Sequence, residues 1–329
     1  MASTMSHLAD ARQTLLSPPT NTTSTDSHES PTVTMPPARR LSSETSLAIA
    51  RWQNRARPIG PRLIRSAVCI LTLLAGSGEA LTAADITPLP NAHAHNDYEH
   101  QRPLLDALDQ GFCSVEADIH LVDGRLLVAH DRSGTRPDRD LDSLYLTPLH
   151  ERVKKHGGRV HPGHPDFTLL IDFKTEAGPT YAAIKPLLAE HADMLTTFGP
   201  DGVRKNAVTV ILSGNKPSEE MRPEATRLAA IDGRMKDLAG TEPATWMPLV
   251  SERWGALFKW RGSGPLPEDE AARLRELVQK AHAQGRRIRF WAIPDNPAGW
   301  AAVTQAGVDL VNTDHLAELR QFLLANPPR

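Results

Sequence analysis

The sequence predicts an α/β protein, a single (β/α)8 TIM barrel, on three observations. Eight short apolar runs recur between Leu89 and Thr313, and helix-patterned segments separate them. The stretch that holds them, residues 85–329, is close to the roughly 250 residues typical of such a barrel.

The candidate strands are Leu89–His95, Cys113–Ile119, Thr168–Lys174, Val208–Ser213, Leu228–Asp232, Met247–Ser251, Ile288–Ile293 and Leu310–Thr313. Between the sixth and seventh, PEDEAARLRELVQKAHAQG sets Leu274, Leu277, Val278 and Ala281 at helical spacing and ends on Gly285, the residue type that closes helices. Shorter helices are expected after Pro103 and around Trp300. No internal repeat is visible.

Two segments precede the barrel. Residues 1–60 are rich in Ser, Thr, Pro and Ala without periodicity, and so are read as a disordered extension that buries too little apolar area to offset its ordering entropy. Residues 61–84 read as a signal peptide: Arg62 and Arg65, then the apolar run AVCILTLLA, then small residues through Ala80 and Ala84. That run is far shorter than the roughly 20 residues of a membrane-spanning helix, so export without a stable membrane anchor is expected, to a secreted or periplasmic location. A signal this far from Met1 fits either a start codon assigned too early or a long n-region. Cleavage would remove Cys69 and leave Cys113 alone, which excludes a disulfide framework.

A hydrophobic share of 40% with 23% charged residues suits a chain that buries a core. The net charge is -2, and no Lys/Arg block is long enough to follow a nucleic-acid backbone, so nucleic acid is not an expected partner.

Barrel strands alternate side chains between the lumen and the helices, and active sites gather at the strands' C-terminal ends. In CSVEADIH, Cys113, Val115, Ala117 and Ile119 share one face, while Ser114, Glu116, Asp118 and His120 share the other. In LLIDFK, Asp172 and Lys174 fall opposite Leu169, Ile171 and Phe173. Carboxylates crowded on one face are costly to bury without a compensating cation. Glu116, Asp118 and Asp172 are therefore the candidate ligands of a hard divalent cation, Mg2+ or Ca2+, with Lys174 adding positive charge beside it. His95, at the end of the first strand, and His130, after the Asp123-Gly124 turn, are candidates for paired acid and base roles.

These residues resemble a known family. HNDYEHQRPLLDALDQGFCSVEADIHLVDGRLLVAHD, then IDFK, FWAIPDN and GVDLVNTDH, is similar to the glycerophosphodiester phosphodiesterases and related phospholipase C-like phosphodiesterases. The resemblance spans about Asn91 to His315. It implies a phospholipase C-like TIM barrel that hydrolyses a small-molecule or lipid phosphodiester. His95 and His130 would be the acid-base pair, and Glu116, Asp118 and Asp172 the metal ligands. Lys174 would touch phosphate, and Trp291 would lie in the substrate cleft. Asn96 stands where the family usually has an arginine at the phosphate, a role that Arg102 or Arg132 is expected to take over. Asp172 replaces the usual Glu, as in the related sphingomyelinase D toxins, which widens the substrate expectation to phosphodiesters generally.

Two other readings compete. His93-Ala94-His95 at the end of a first strand is the entry motif of amidohydrolase-type metal hydrolases, with Lys174 and Asp314 available later. That reading needs further histidines from middle strands, and His191 and His282 both fall in helix patterns. The other is a non-catalytic barrel that binds phosphorylated ligands. Two loops, one with His156, His161 and His164 and one with Trp254, Phe258 and Trp260, are candidate walls of a head-group pocket or plain loop packing.

Overall fold

The structure is a computed structural model that describes residues 86–164 and 166–327. The extension expected over 1–60 and the signal peptide expected over 61–84 lie outside the described residues.

The strands are β1 (Leu89–Ala94), β2 (Phe112–Val122), β3 (Arg125–Val128), β4 (Phe167–Phe173), β5 (Thr197–Gly199), β6 (Gly202–Arg204), β7 (Val208–Gly214), β8 (Ala229–Gly233), β9 (Leu249–Arg253), β10 (Arg287–Trp291) and β11 (Leu310–Thr313). Eight of them run parallel in the order β1-β2-β4-β7-β8-β9-β10-β11, and β1 pairs with β11 to close the barrel. These are the eight strands expected from the sequence, with edges moved by a few residues. The sixth begins at Leu249 rather than Met247, because Pro248 has no N–H to give a ladder. β3 folds back on β2 through Asp123 and Gly124, both at positive φ, and β5 with β6 makes a separate hairpin.

Alternation sorts the side chains as the pattern requires. Val115, Ala117, Ile119, Leu169, Ile171 and Phe173 join the large core under the helices, whereas Leu170, Ile211, Leu249 and Leu310 form a separate apolar cluster inside the barrel. Each of these Val, Leu, Ile and Phe side chains contributes about 1.5–3 kcal/mol by leaving water.

Helix Glu268–Ala283 buries Leu274, Val278 and Ala281 and opens on Glu268, Asp269 and Glu270, whose charges favour its N-terminus. Asn296 caps helix Pro297–Ala306 by accepting from Ala298 N and Gly299 N. A Cβ at Gly299 would lie 1.8 Å from Pro294 O, so only glycine fits that turn. No helix among the described residues is long and apolar enough to cross a membrane.

For both loops, open between pocket wall and plain packing, the structure shows packing. His161 is buried and bonds Phe112 O, at the start of β2, on the floor of the barrel. Trp254 and Phe258 are buried against Phe290 with their own rings 4.2 Å apart, and the buried Trp260 packs on Trp254.

Candidate active site

Parallel pairing of β2 with β4 sets Asp118 directly opposite Asp172, with Glu116 two residues below. Glu116, Asp118 and Asp172 each offer an oxygen, and the three lie within 4.8 Å of one another. Lys174 reaches into this cluster, its Nζ 3.0 Å from both Asp118 Oδ2 and Asp172 Oδ1. Asp118 Oδ2 also accepts from the Tyr98 hydroxyl at 2.6 Å. Asp118 Oδ1, equally buried, has no partner at all. A buried carboxylate oxygen without a donor is costly, and a cation among three carboxylates relieves it. The residues therefore fit a divalent metal ion.

The charges agree. Burial and the neighbouring Glu116 push Asp118 up to about 6, and burial raises Asp172 as well. Burial alone would raise Glu116, but the Arg289 guanidinium, 3.0 Å away, holds it well below the usual carboxylate range. Lys174 would be lowered by burial, but Asp118 and Asp172 outweigh that and raise it.

Both histidines stand at the rim. His95 Nδ1 donates to Asp314 Oδ1 at 2.8 Å, which leaves Nε2 as the second ring nitrogen. Burial lowers His95, yet that hydrogen bond and the charge of Glu116 carry it above its ordinary value. His130 Nδ1 lies 3.1 Å from Tyr98 Oη and 3.2 Å from Asp118 Oδ2, with its side chain 57% exposed. A cavity of about 430 Å3 opens beside it, lined by Tyr98, Arg136 and Arg139 among others.

Asn96 sits in the left-handed region at φ 46, with Oδ1 2.9 Å from the Tyr98 hydroxyl. Trp291 ends β10, partly exposed, with the Arg253 guanidinium 5.7 Å from its ring centre. Arg102 is not in the cluster; it pairs with Asp106 and Asp109 on the surface. Arg132 lies exposed in the loop after His130.

His93 is not free to hold a metal. Arg289 Nη1 lies 2.7 Å from His93 Nε2 and can only donate, so that nitrogen is the acceptor and Nδ1–H donates to Ser114 Oγ at 2.7 Å. Burial and Arg289 push His93 down to about 4, so it stays neutral. The His-x-His motif of an amidohydrolase-type site is thus occupied by internal hydrogen bonds.

Comparison with known proteins agrees with this geometry. Residues 80–229 match the family described as an AIM6-like phosphodiesterase domain, and residues 287–317 match the glycerophosphoryl diester phosphodiesterase family. Altered inheritance of mitochondria protein 6 of Eremothecium gossypii is 30% identical over 286 residues, covering 75% of this chain and 72% of that protein. The chain belongs to the AIM6-like phosphodiesterase family.

Other members of the AIM6-like family are similarly related. The protein of the same name from Lachancea thermotolerans is 30% identical over 74% of this chain and 68% of its own length, and the homologue from Arthroderma benhamiae is 28% identical over 70% and 82%. The crystal structure of a glycerophosphodiester phosphodiesterase from Parabacteroides distasonis overlaps 73% of this chain and 98% of its own, at 15% identity and a TM-score of 0.44. The barrel assignment rests on the closed sheet itself, and the two family matches agree with a glycerophosphodiesterase-like TIM-barrel superfamily for this AIM6-like chain.

Three residues of this site were not singled out from the sequence: Arg289, Tyr98 and, as a partner of His95, Asp314. Arg289 carried one signal. In RIRFW it alternates with Ile288 and Phe290, on the same side as Trp291, which directs a cation into the lumen.

Proposed function

We propose that the chain is a metal-dependent phosphoric diester hydrolase that cleaves a glycerophosphodiester or phospholipid head group. Glu116, Asp118 and Asp172 would hold Mg2+ or Ca2+. His95 and His130 carry the two proton transfers, one taking the proton of the attacking hydroxyl and the other giving one to the leaving alcohol. Asp314 fixes the His95 tautomer, and Tyr98 orients His130 and Asp118 together. A divalent cation bound there supplies Lewis-acid stabilisation of a phosphoryl oxygen. Lys174 adds charge beside the phosphate, while Asn96 and Trp291 border the substrate.

The observation that carries this reading is the unpartnered Asp118 Oδ1, buried in a cluster of three carboxylates that His130 touches. Release of p-nitrophenol from bis(p-nitrophenyl) phosphate tests it. Activity should vanish with EDTA and return with Mg2+ or Ca2+; full activity after complete metal removal overturns it. Binding of phosphodiesters with no turnover in the wild type would instead favour a non-catalytic barrel. The apolar run at 67–75 supports secretion or periplasmic export, tested by N-terminal sequencing of the protein recovered outside the cytoplasm.

A further inference from the structure

The mouth of the barrel has a second wall, across β7, β8 and β9, that the proposed chemistry does not use. Gly214, at the end of β7, packs against the acidic cluster so closely that a Cβ there would lie 2.3 Å from Asp172 Oδ1. Two residues on, Lys216 turns toward the end of β8, and its Nζ donates to the backbone oxygen of Asp232. Arg234 follows β8 and pairs with Asp232 Oδ2 at 2.7 Å. Arg253 ends β9, exposed, and is the register partner of Trp291.

The charges on this wall do not balance. Lys216, Arg234, Lys236 and Arg253 stand against Asp232, Asp237 and Glu252, which accepts from the Arg253 backbone N–H, and one positive charge is left in excess. Asp232 is spent on Ser213, Ser251 and Arg234, and Asp237 accepts from the backbone N–H of Arg234. Among the described residues neither Lys216 nor Arg253 forms an ion pair; Lys216 has only a carbonyl, and Arg253 only the Trp291 ring. Nor does this wall serve to neutralise Glu116, Asp118 and Asp172, since Lys174 and Arg289 already touch them.

We propose that Lys216, Arg234 and Arg253 form a subsite for a second anionic group, a phosphomonoester carried on the alcohol portion of the diester. This rests on the phosphodiesterase reading and names its substrate class. A phosphomonoester brings about two negative charges and three acceptor oxygens, the complement of ammonium and guanidinium donors with unused N–H groups. The same wall disfavours a choline-type head group. Quaternary ammonium ions are held on open aromatic faces, and the Trp291 ring already carries the Arg253 guanidinium.

The test compares kcat/KM for glycerophosphoinositol 4-phosphate and glycerophosphocholine with Mg2+ present. The wild type should favour the first by about tenfold or more, the value of one good charge-assisted contact. In Lys216→Gln and Arg253→Gln that ratio should fall toward one, chiefly through KM of the anionic substrate. Arg253 is exposed, so its variant keeps the test open if the Lys216 variant folds poorly. A wild-type ratio of one or less, or a ratio unmoved in both variants, overturns the proposal. If neither diester is hydrolysed, the phosphodiesterase reading fails by itself, and calorimetry with inositol 1,4-bisphosphate still decides the subsite. Binding weakened about tenfold in the variants supports it, and no binding to the wild type sinks it.

Discussion

Asp118 and Asp232 lie on the inner wall of one barrel, three strands apart, and each is 1% exposed. Asp232 is fully engaged: Oδ1 accepts from Ser251 at 2.8 Å, and Oδ2 from Ser213 at 2.9 Å and Arg234 at 2.7 Å. Asp118 crowds Tyr98, His130 and Lys174 onto Oδ2 and leaves Oδ1 with nothing. The difference separates a carboxylate that holds the barrel together from one kept ready for a ligand. Burial and charge are alike; the state of the second oxygen is not.

The sharpest way to break this contrast is to neutralise each carboxylate in turn. Asp118→Asn should lower kcat/KM for bis(p-nitrophenyl) phosphate on the order of a thousandfold, the several kcal/mol a metal ion lends to phosphoryl transfer. Its urea midpoint without metal should be unchanged or higher, because one of three repelling carboxylates is gone. Asp232→Ala should do the reverse in stability. It strands two buried hydroxyls and the Arg234 guanidinium, for a loss of about 2–4 kcal/mol in urea unfolding. Equal stability losses in the two variants would erase the distinction.

A third buried polar group, His161 on the floor, sets a control through pH. Burial lowers its pKa from 6.5 to about 4; Nε2 donates to Phe112 O, and Nδ1 has no partner. A base depressed in the folded state contributes stability that is complete above pH 6.5 and is lost as pH falls toward 4. That loss should approach about 3 kcal/mol, and His161→Gln should flatten the pH profile of unfolding between those values. The smallest effect is the ligand's own. At a hundred times its Kd, Mg2+ or Ca2+ should add about 2.7 kcal/mol and raise Tm by about 5–10 °C. The Asp118→Asn protein should show no such rise, whereas a shift as large as the wild type's would place the cation elsewhere.

Much of this was readable in the chain. Strand-face alternation put Glu116, Asp118 and Asp172 in the lumen and Val115, Ala117 and Ile119 under the helices, because a period of two survives any error in strand edges. The same parity underlies His95 at the rim. What stayed hidden were partners fixed only by closure of the sheet. Arg289 meets His93 across 196 positions of sequence, and Asp314 meets His95 across 219. The aromatic loop at Trp254 stayed open between pocket wall and plain packing for a related reason: only the folded chain shows that Phe290 is there to cover it.

The apolar cluster of Leu170, Ile211, Leu249 and Leu310 closes the lumen beneath the polar layer. The barrel is therefore a blind well rather than a passage. Whatever enters the mouth leaves by it, and the two fragments of a cleaved diester would depart through the opening the next substrate needs. Either fragment held at the mouth would stand in the way of that substrate, so the traffic of this chain is set at a single door.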